Sequence, residues 1–209
     1  GTRRIDVICA PPGAPAGPGV AFSKFVPDPG NGGWHTAIFI AKHDGSGVRQ
    51  LTYPREFRPD TCEPDCNNSG VWADHSPTWS PDGRRLAYRA SPTTLPRETR
   101  TDAYIVTLAD RQIEKISVRS DVESTPVWSP DGRTLAYTIR PQTHAPHADG
   151  ISDMQIGNNH LVLYDVAART TKDTYDPKAD VSEDSPQWTR DGRRLLFVSA
   201  ERGYNAVYA

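Results

Sequence analysis

Long apolar runs are missing from this sequence. No stretch of its 209 residues approaches ~18 consecutive apolar residues, the length at which a membrane-crossing helix comes into question. An excess of positive charge is missing as well. Lys and Arg number 24 against 26 Asp and Glu, the net charge is −2 and the pI is near 6.3, so the chain carries no electrostatic footprint for nucleic acid. Residues Gly1 to Ala10 lack the apolar core of a signal peptide, so a leader is expected to be absent or already removed. Cysteine is scarce, at three. Cys62 and Cys66 enclose Glu63-Pro64-Asp65 in a polar loop, where a small disulfide ring and two free thiols both stay open, while a zinc site would need more ligands at tighter spacing. Cys9 lies in an apolar stretch that suits a buried thiol. No metal and no cofactor are expected.

What is abundant is punctuation. The 19 prolines and 16 glycines favour many short strands over long helices, in a composition ordinary for a globular chain at 36% hydrophobic and 24% charged. One stretch is written three times. Trp79-Ser80-Pro81-Asp82-Gly83-Arg84-Arg85-Leu86-Ala87-Tyr88 returns as Trp128-Ser129-Pro130-Asp131-Gly132-Arg133-Thr134-Leu135-Ala136-Tyr137, and more loosely as Trp188-Thr189-Arg190-Asp191-Gly192-Arg193-Arg194-Leu195-Leu196-Phe197. The copies stand on the order of 50 to 60 residues apart, a spacing that marks repeat architectures. Ser-Pro-Asp-Gly is turn chemistry: Pro presets φ, Asp can bond its own backbone, and Gly accepts positive φ. The apolar runs after each turn suit mostly buried strands. A Trp at the same place in each copy suggests an indole filling the gap between neighbouring sheets. Trp79, Pro81, Asp82, Gly83, Trp128, Pro130, Asp131, Gly132, Trp188, Asp191 and Gly192 are therefore read as structural, the aspartates as turn formers.

Each motif belongs to a longer unit of four short strands. Arg4 to Cys9 reads as a strand and Pro11 to Gly19 as a linker, so residues 1–19 precede the repeats. Four units follow over 20–209, at about 20–52, 76–117, 124–175 and 184–209, the first without its Trp-Ser-Pro-Asp-Gly lead-in and the last without its final strand. Asp44-Gly45-Ser46-Gly47 is the tight turn of a hairpin in the first. The fold expected is all-β: a β-propeller of four-stranded antiparallel blades, about four of them here.

These motifs resemble the WD-like propeller repeats of the TolB family, and Asp44 to Thr52 looks like that family's blade end. Similar repeats occur in the amino-terminal propellers of prolyl-oligopeptidase-type serine peptidases, including acylaminoacyl peptidases, to which Asp180 to Tyr208 is somewhat closer. The resemblance spans roughly residues 20 to 209 and implies a ring of about six to eight blades. The chain is then part of a larger ring. In the alternative, Arg4 to Cys9 supplies the missing strand of the unit begun at Asp184 and closes a ring of four.

A peptidase of that type needs a Gly-x-Ser-x-Gly elbow. None occurs; Gly45-Ser46-Gly47 is too short and sits in a hairpin turn. No catalytic residue is assigned. Function should lie on the long inter-strand loops, Pro27–His35, Tyr53–His75, Ser91–Arg100 and Pro141–Asn159. Candidate binding-rim residues are Trp34, His35, Asp74, His75, His144 and His147, the last two in a polar insertion with Asp149 and Asp153 nearby. Asn67-Asn68-Ser69 matches the N-glycosylation acceptor pattern. The leading expectation is a non-catalytic binding or scaffold module that engages a protein or peptide partner through its rim or channel. The alternative is the substrate-gating propeller of a serine peptidase whose hydrolase domain lies outside this chain; a carbohydrate lyase using His and a metal is a third. The TolB resemblance implies a periplasmic or secreted setting, the peptidase resemblance a cytoplasmic one.

Overall fold

The computed structural model describes residues 7–9, 19–27, 34–53, 56–57, 70–92, 101–118, 122–140, 142–146, 152–156, 159–174, 183–201 and 204–209. These are strands and turns, with no helix among the described residues. The chain divides into two compact units, Gly1–Ile116 and Ser117–Ala209.

The first unit holds two antiparallel sheets. Strands β1 (Val7–Cys9), β2 (Val20–Pro27), β3 (Trp34–Ala41) and β4 (Arg49–Gln50) lie side by side in chain order. Val7 pairs with Phe22, so the amino-terminal strand belongs to this first sheet. That overturns the alternative in which it completes the sheet begun at Asp184. The second sheet is β5 (Glu56–Phe57), β6 (Gly70–Trp79), β7 (Arg85–Pro92), β8 (Asp102–Thr107) and β9 (Ile113–Lys115). The stretch 53–75, expected as a loop, thus contains β5 and the first part of β6. Gly70-Val71-Trp72-Ala73 extends the motif strand backwards, and β5 pairs with its start.

One apolar layer joins these two sheets. Ala21, Ile38, Ile40 and Leu51 of the first cluster with Trp79, Leu86, Tyr88, Ala90 and Val106 of the second, all buried. Alternation along each strand sends every second side chain into this layer, and each fully buried Leu, Ile or Val there contributes about 1.5–3 kcal/mol.

In the second unit, β10 (Val127–Trp128) and β11 (Thr134–Ile139) carry the second motif copy. The insertion after β11, expected as a polar loop, forms a hairpin of its own from β12 (Gln142–Pro146) and β13 (Ser152–Ile156). The sheet then resumes with β14 (His160–Asp165) and β15 (Thr170–Asp173), in the order β10-β11-β14-β15. A fourth sheet has three strands, β16 (Glu183–Trp188), β17 (Leu195–Glu201) and β18 (Tyr204–Tyr208). The third and fourth sheets meet at the third motif copy. The Trp188 indole N–H donates to the Val127 carbonyl at 3.3 Å. A Cβ added to Gly192 would lie 3.4 Å from Pro130 Cδ, so the two motif turns are neighbours.

Each motif closes on the same set of bonds. The amide of Ser80, Ser129 or Thr189 donates to the carbonyl of Arg85, Thr134 or Arg194 at 2.8–2.9 Å, and Gly83, Gly132 or Gly192 donates back to Ser80, Ser129 or Thr189. The hydroxyl donates to Asp82, Asp131 or Asp191 at 2.6 Å. The same carboxylates accept the amides of Arg84, Arg133 and Arg193 at 3.0–3.1 Å. The glycines sit at φ of 66°, 69° and 69°, where an L side chain is strained. Stacked rings join directly paired residues of neighbouring strands in three sheets: Phe22 on Phe39, Tyr88 on Tyr104 and Phe197 on Tyr208. In the third sheet Val162 takes the place opposite Tyr137.

Two substitutions test this packing by urea unfolding followed by circular dichroism. Trp79→Ala removes a buried indole from the apolar layer and should cost about 3–5 kcal/mol. Gly132→Ala should cost about 1 kcal/mol through backbone strain alone. Unchanged unfolding midpoints would contradict both assignments.

Candidate binding rim

Antiparallel pairing puts the tight turns at one end of the second and third sheets and the longer connections at the other. In the second sheet, for example, the turns after β6 and β8 share one end, and the β7–β8 connection and the lead-in to β6 share the opposite end. Buried polar side chains collect at this opposite end.

His75 pairs with Arg89 and Ala73 with Ser91, which places His75, Arg89 and Ser91 on one face of the second sheet. His75 Nε2 lies 3.2 Å from Ser91 Oγ, and Ser91 Oγ lies 3.0 Å from Thr101 Oγ1. Its Nδ1 is 3.3 Å from the Ser76 hydroxyl. Burial, helped by the positive charge of Arg89, lowers the His75 pKa to about 4. The imidazole is thus neutral at pH 7 and a weak base. With a serine hydroxyl rather than a carboxylate on Nδ1, the Ser91–His75 contact is a hydrogen-bonded chain and lacks the orienting group of a nucleophile–base pair. Asp74, one residue earlier, points to the other face and is 1% exposed. Asp102 is buried at the start of β8, 3.0 Å from Lys115 Nζ and 3.3 Å from the Tyr104 hydroxyl.

Counting from each motif tryptophan, the third sheet has Ser124, Thr138 and Arg140 at the places of His75, Arg89 and Ser91, and strand pairing puts Asn159 beside Arg140 as it puts Thr101 beside Ser91. The Thr138 amide donates to Ser124 Oγ at 2.8 Å. Arg140 Nε donates to Asn159 Oδ1 at 2.8 Å, and Glu123 Oε1 stands 3.8 Å from the same nitrogen. Asn159 Nδ2 donates to Asp184 of the fourth sheet. His160 Nδ1 lies 3.7 Å from Asp173. Within β6 and within β16 the chain kinks in the same way. Ser76 and Ser185 take φ of 53° and 51°, each just before a proline, and the register slips there.

In the first sheet Trp34 is 64% exposed and Phe25 49%. Trp34 pairs with Pro27 and Phe25 with Thr36, so the two aromatics share a face and stand diagonally across the hairpin. His35 points the opposite way and is 1% exposed. His144 and Asp153 lie on β12 and β13, but their side chains fall outside the described residues, as do His147, Asp149, Cys62, Cys66 and Asn67 entirely. Among the described residues no three His, Cys, Asp or Glu side chains converge on a metal-sized site. At the other end of the sheets, the motif aspartates hold pKa values below the usual range. The Ser129 and Thr189 hydroxyls and the adjoining amides do this for Asp131 and Asp191. For Asp82 burial works against the shift, and the Ser80 hydroxyl and Arg84 amide outweigh it.

The pairs Ser91–Thr101 and Arg140–Asn159 carry no signal in the sequence, because 10 and 19 residues separate their members. A polar residue just past the apolar run of a motif was the only available pointer.

The His75 environment gives a pH prediction. Its folded pKa lies below the unfolded value of 6.5, so its contribution is present above pH 6.5 and is lost as pH falls toward 4. Urea titrations should show about 2 kcal/mol less stability at pH 5 than at pH 7, and His75→Gln should abolish most of that difference. An equal loss in the variant would show that His75 is not the group responsible.

No protein-family model matches the sequence, and no curated protein matches it. Solved structures do. TolB from Acinetobacter baumannii is 19% identical with a TM-score of 0.55, over 90% of this chain and 38% of that one. Dipeptidyl peptidase 4 from Porphyromonas gingivalis is 16% identical with a TM-score of 0.54, over 96% of this chain and 30% of that one. An oligogalacturonate lyase in complex with manganese is 16% identical with a TM-score of 0.53, over 90% of this chain and 43% of that one. The chain spans less than half the length of each. Its sheets, its repeated turns and these likenesses together give it the fold of a TolB-like β-propeller, present here in part.

Proposed function

We propose that this chain is a non-catalytic propeller module that engages a protein or peptide partner through the loop-bearing ends of its sheets. The observation that carries this reading is the exposed aromatic pair, Trp34 and Phe25, on one face of the β2–β3 hairpin. Large rings left in water at the end of a sheet are the side chains from which partner-binding hot spots are built. The buried His75–Ser91–Thr101 chain stiffens the corresponding end of the second sheet, so the loops there rise from a firm base. Under this reading the protein works in the periplasm or outside the cell.

A second reading has its own support: the likeness to dipeptidyl peptidase 4 over 96% of this chain. Here the propeller screens substrates for a serine peptidase domain, in a cytoplasmic protein. A Gly-x-Ser-x-Gly encoded downstream in the same gene would favour it.

The leading reading is tested by placing a photo-reactive residue at position 34, and a control at position 131 in a motif turn, and irradiating cells that express each. A defined partner should crosslink from position 34 and be absent from position 131. Equal labelling from both positions, or none from 34, would contradict the proposal.

A further inference from the structure

We propose that Arg140 is a carboxylate receptor on the rim, and that it recognises an acidic group of a peptide ligand. The inference rests on the reading of this end of the sheets as the binding rim. Arg140 stands at the end of β11, and its side chain is 39% exposed, so the guanidinium is within reach of a ligand. Its Nε is already engaged, donating to Asn159 Oδ1 at 2.8 Å. Asn159 is 2% exposed and is itself fixed by its bond to Asp184. The plane of the guanidinium is therefore set by a buried partner that is in turn held by the neighbouring sheet. The two Nη nitrogens make no hydrogen bond among the described residues.

A guanidinium with an engaged Nε and an unused pair of Nη donors is a planar fork. Two parallel N–H···O bonds are satisfied best by an acceptor with two coplanar oxygens, which in a peptide is a carboxylate. Two acidic groups belong to this network, and neither is hydrogen-bonded to the fork. Asp184 accepts from Asn159. Glu123 is 3.8 Å away on the Nε side, beyond hydrogen-bond length. Glu123 nevertheless repels an incoming anion, so it limits the affinity. Asn159 is a positioning residue, acting on the ligand only through Arg140.

The test uses the 209-residue chain and short capped peptides, followed through the Arg140 Nε–H resonance. One peptide has a free carboxyl terminus and no acidic side chain. A second has one internal Glu and an amidated end. A third has neither acid. At least one of the acidic peptides should bind and shift the resonance while the neutral peptide does not, and which of them does so identifies the source of the carboxylate. Arg140→Lys keeps the charge and loses the fork, and should weaken binding about tenfold. Glu123→Gln should tighten it several-fold. Asn159→Ala should weaken it with the circular dichroism spectrum unchanged. Equal binding of acidic and neutral peptides, no binding by either acidic peptide at millimolar concentration, or full affinity in Arg140→Lys would each overturn the proposal. Partner crosslinking from position 34 with no acid preference at Arg140 would remove this inference alone. Acid-specific binding without crosslinking from position 34 would instead remove the wider reading.

Discussion

The apolar layer between neighbouring sheets is the constraint on which the rest of this structure depends. A sheet of three to five short strands cannot bury enough surface by itself, and in the first unit Trp79 enters a layer drawn from two sheets. In the second unit the Trp188 indole reaches across to the Val127 carbonyl, adding a hydrogen bond to the packing. Tryptophan suits this place because it is large enough to span the gap and carries one donor that finds a partner when buried. The small residues beside it matter as much. Ala21 and Ala90 of the same layer are fully buried, and alanine lets adjacent backbones approach closely enough for the large rings to fill what remains.

The turn after each tryptophan holds the two strands that flank it in register, and its third copy shows which parts are needed. Thr189 replaces Ser and Arg190 replaces Pro, yet the turn keeps all its bonds. A hydroxyl, a carboxylate two residues later and a glycine at positive φ are thus sufficient. Proline only biases the chain toward a shape it can adopt without it. Elsewhere the tight hairpins use Arg111 and Arg169 at φ of 59° and 55°, a conformation that side-chain-bearing residues adopt at some cost.

The sheets were legible in the sequence because their signals are local. Ser-Pro-Asp-Gly followed by Arg-Arg-Leu-Ala-Tyr announces a turn and a buried strand within ten residues, and the last two strands of each of the first three sheets form a hairpin. Two elements were missed for the opposite reason. Strand β5 is two residues long and pairs only with the start of β6, and the β12–β13 hairpin is built from Gln142-Thr143-His144-Ala145-Pro146 and Ser152-Asp153-Met154-Gln155-Ile156, without the alternation that marks a half-buried strand. The rim was harder still. Adjacent residues such as Trp34 and His35, or Asp74 and His75, look like pairs in a sequence, but pleating sends their side chains to opposite faces. The contacts that shape the rim join residues brought together only by strand pairing, as Arg140 and Asn159 are, and no spacing rule foretells them.

A division of labour follows from this arrangement. In the second and third sheets one end is closed by short turns whose aspartates hold the chain, and the other bears the long connections and, in the third sheet, an arginine with donors to spare. The whole depends on sheets that meet through their indoles, and hydrogen exchange at the tryptophan side chains examines this most directly. The Trp188 indole N–H, bonded to Val127, should exchange far more slowly than that of the exposed Trp34 in the same molecule. Equal, rapid exchange at both would mean that the third and fourth sheets do not pack as described.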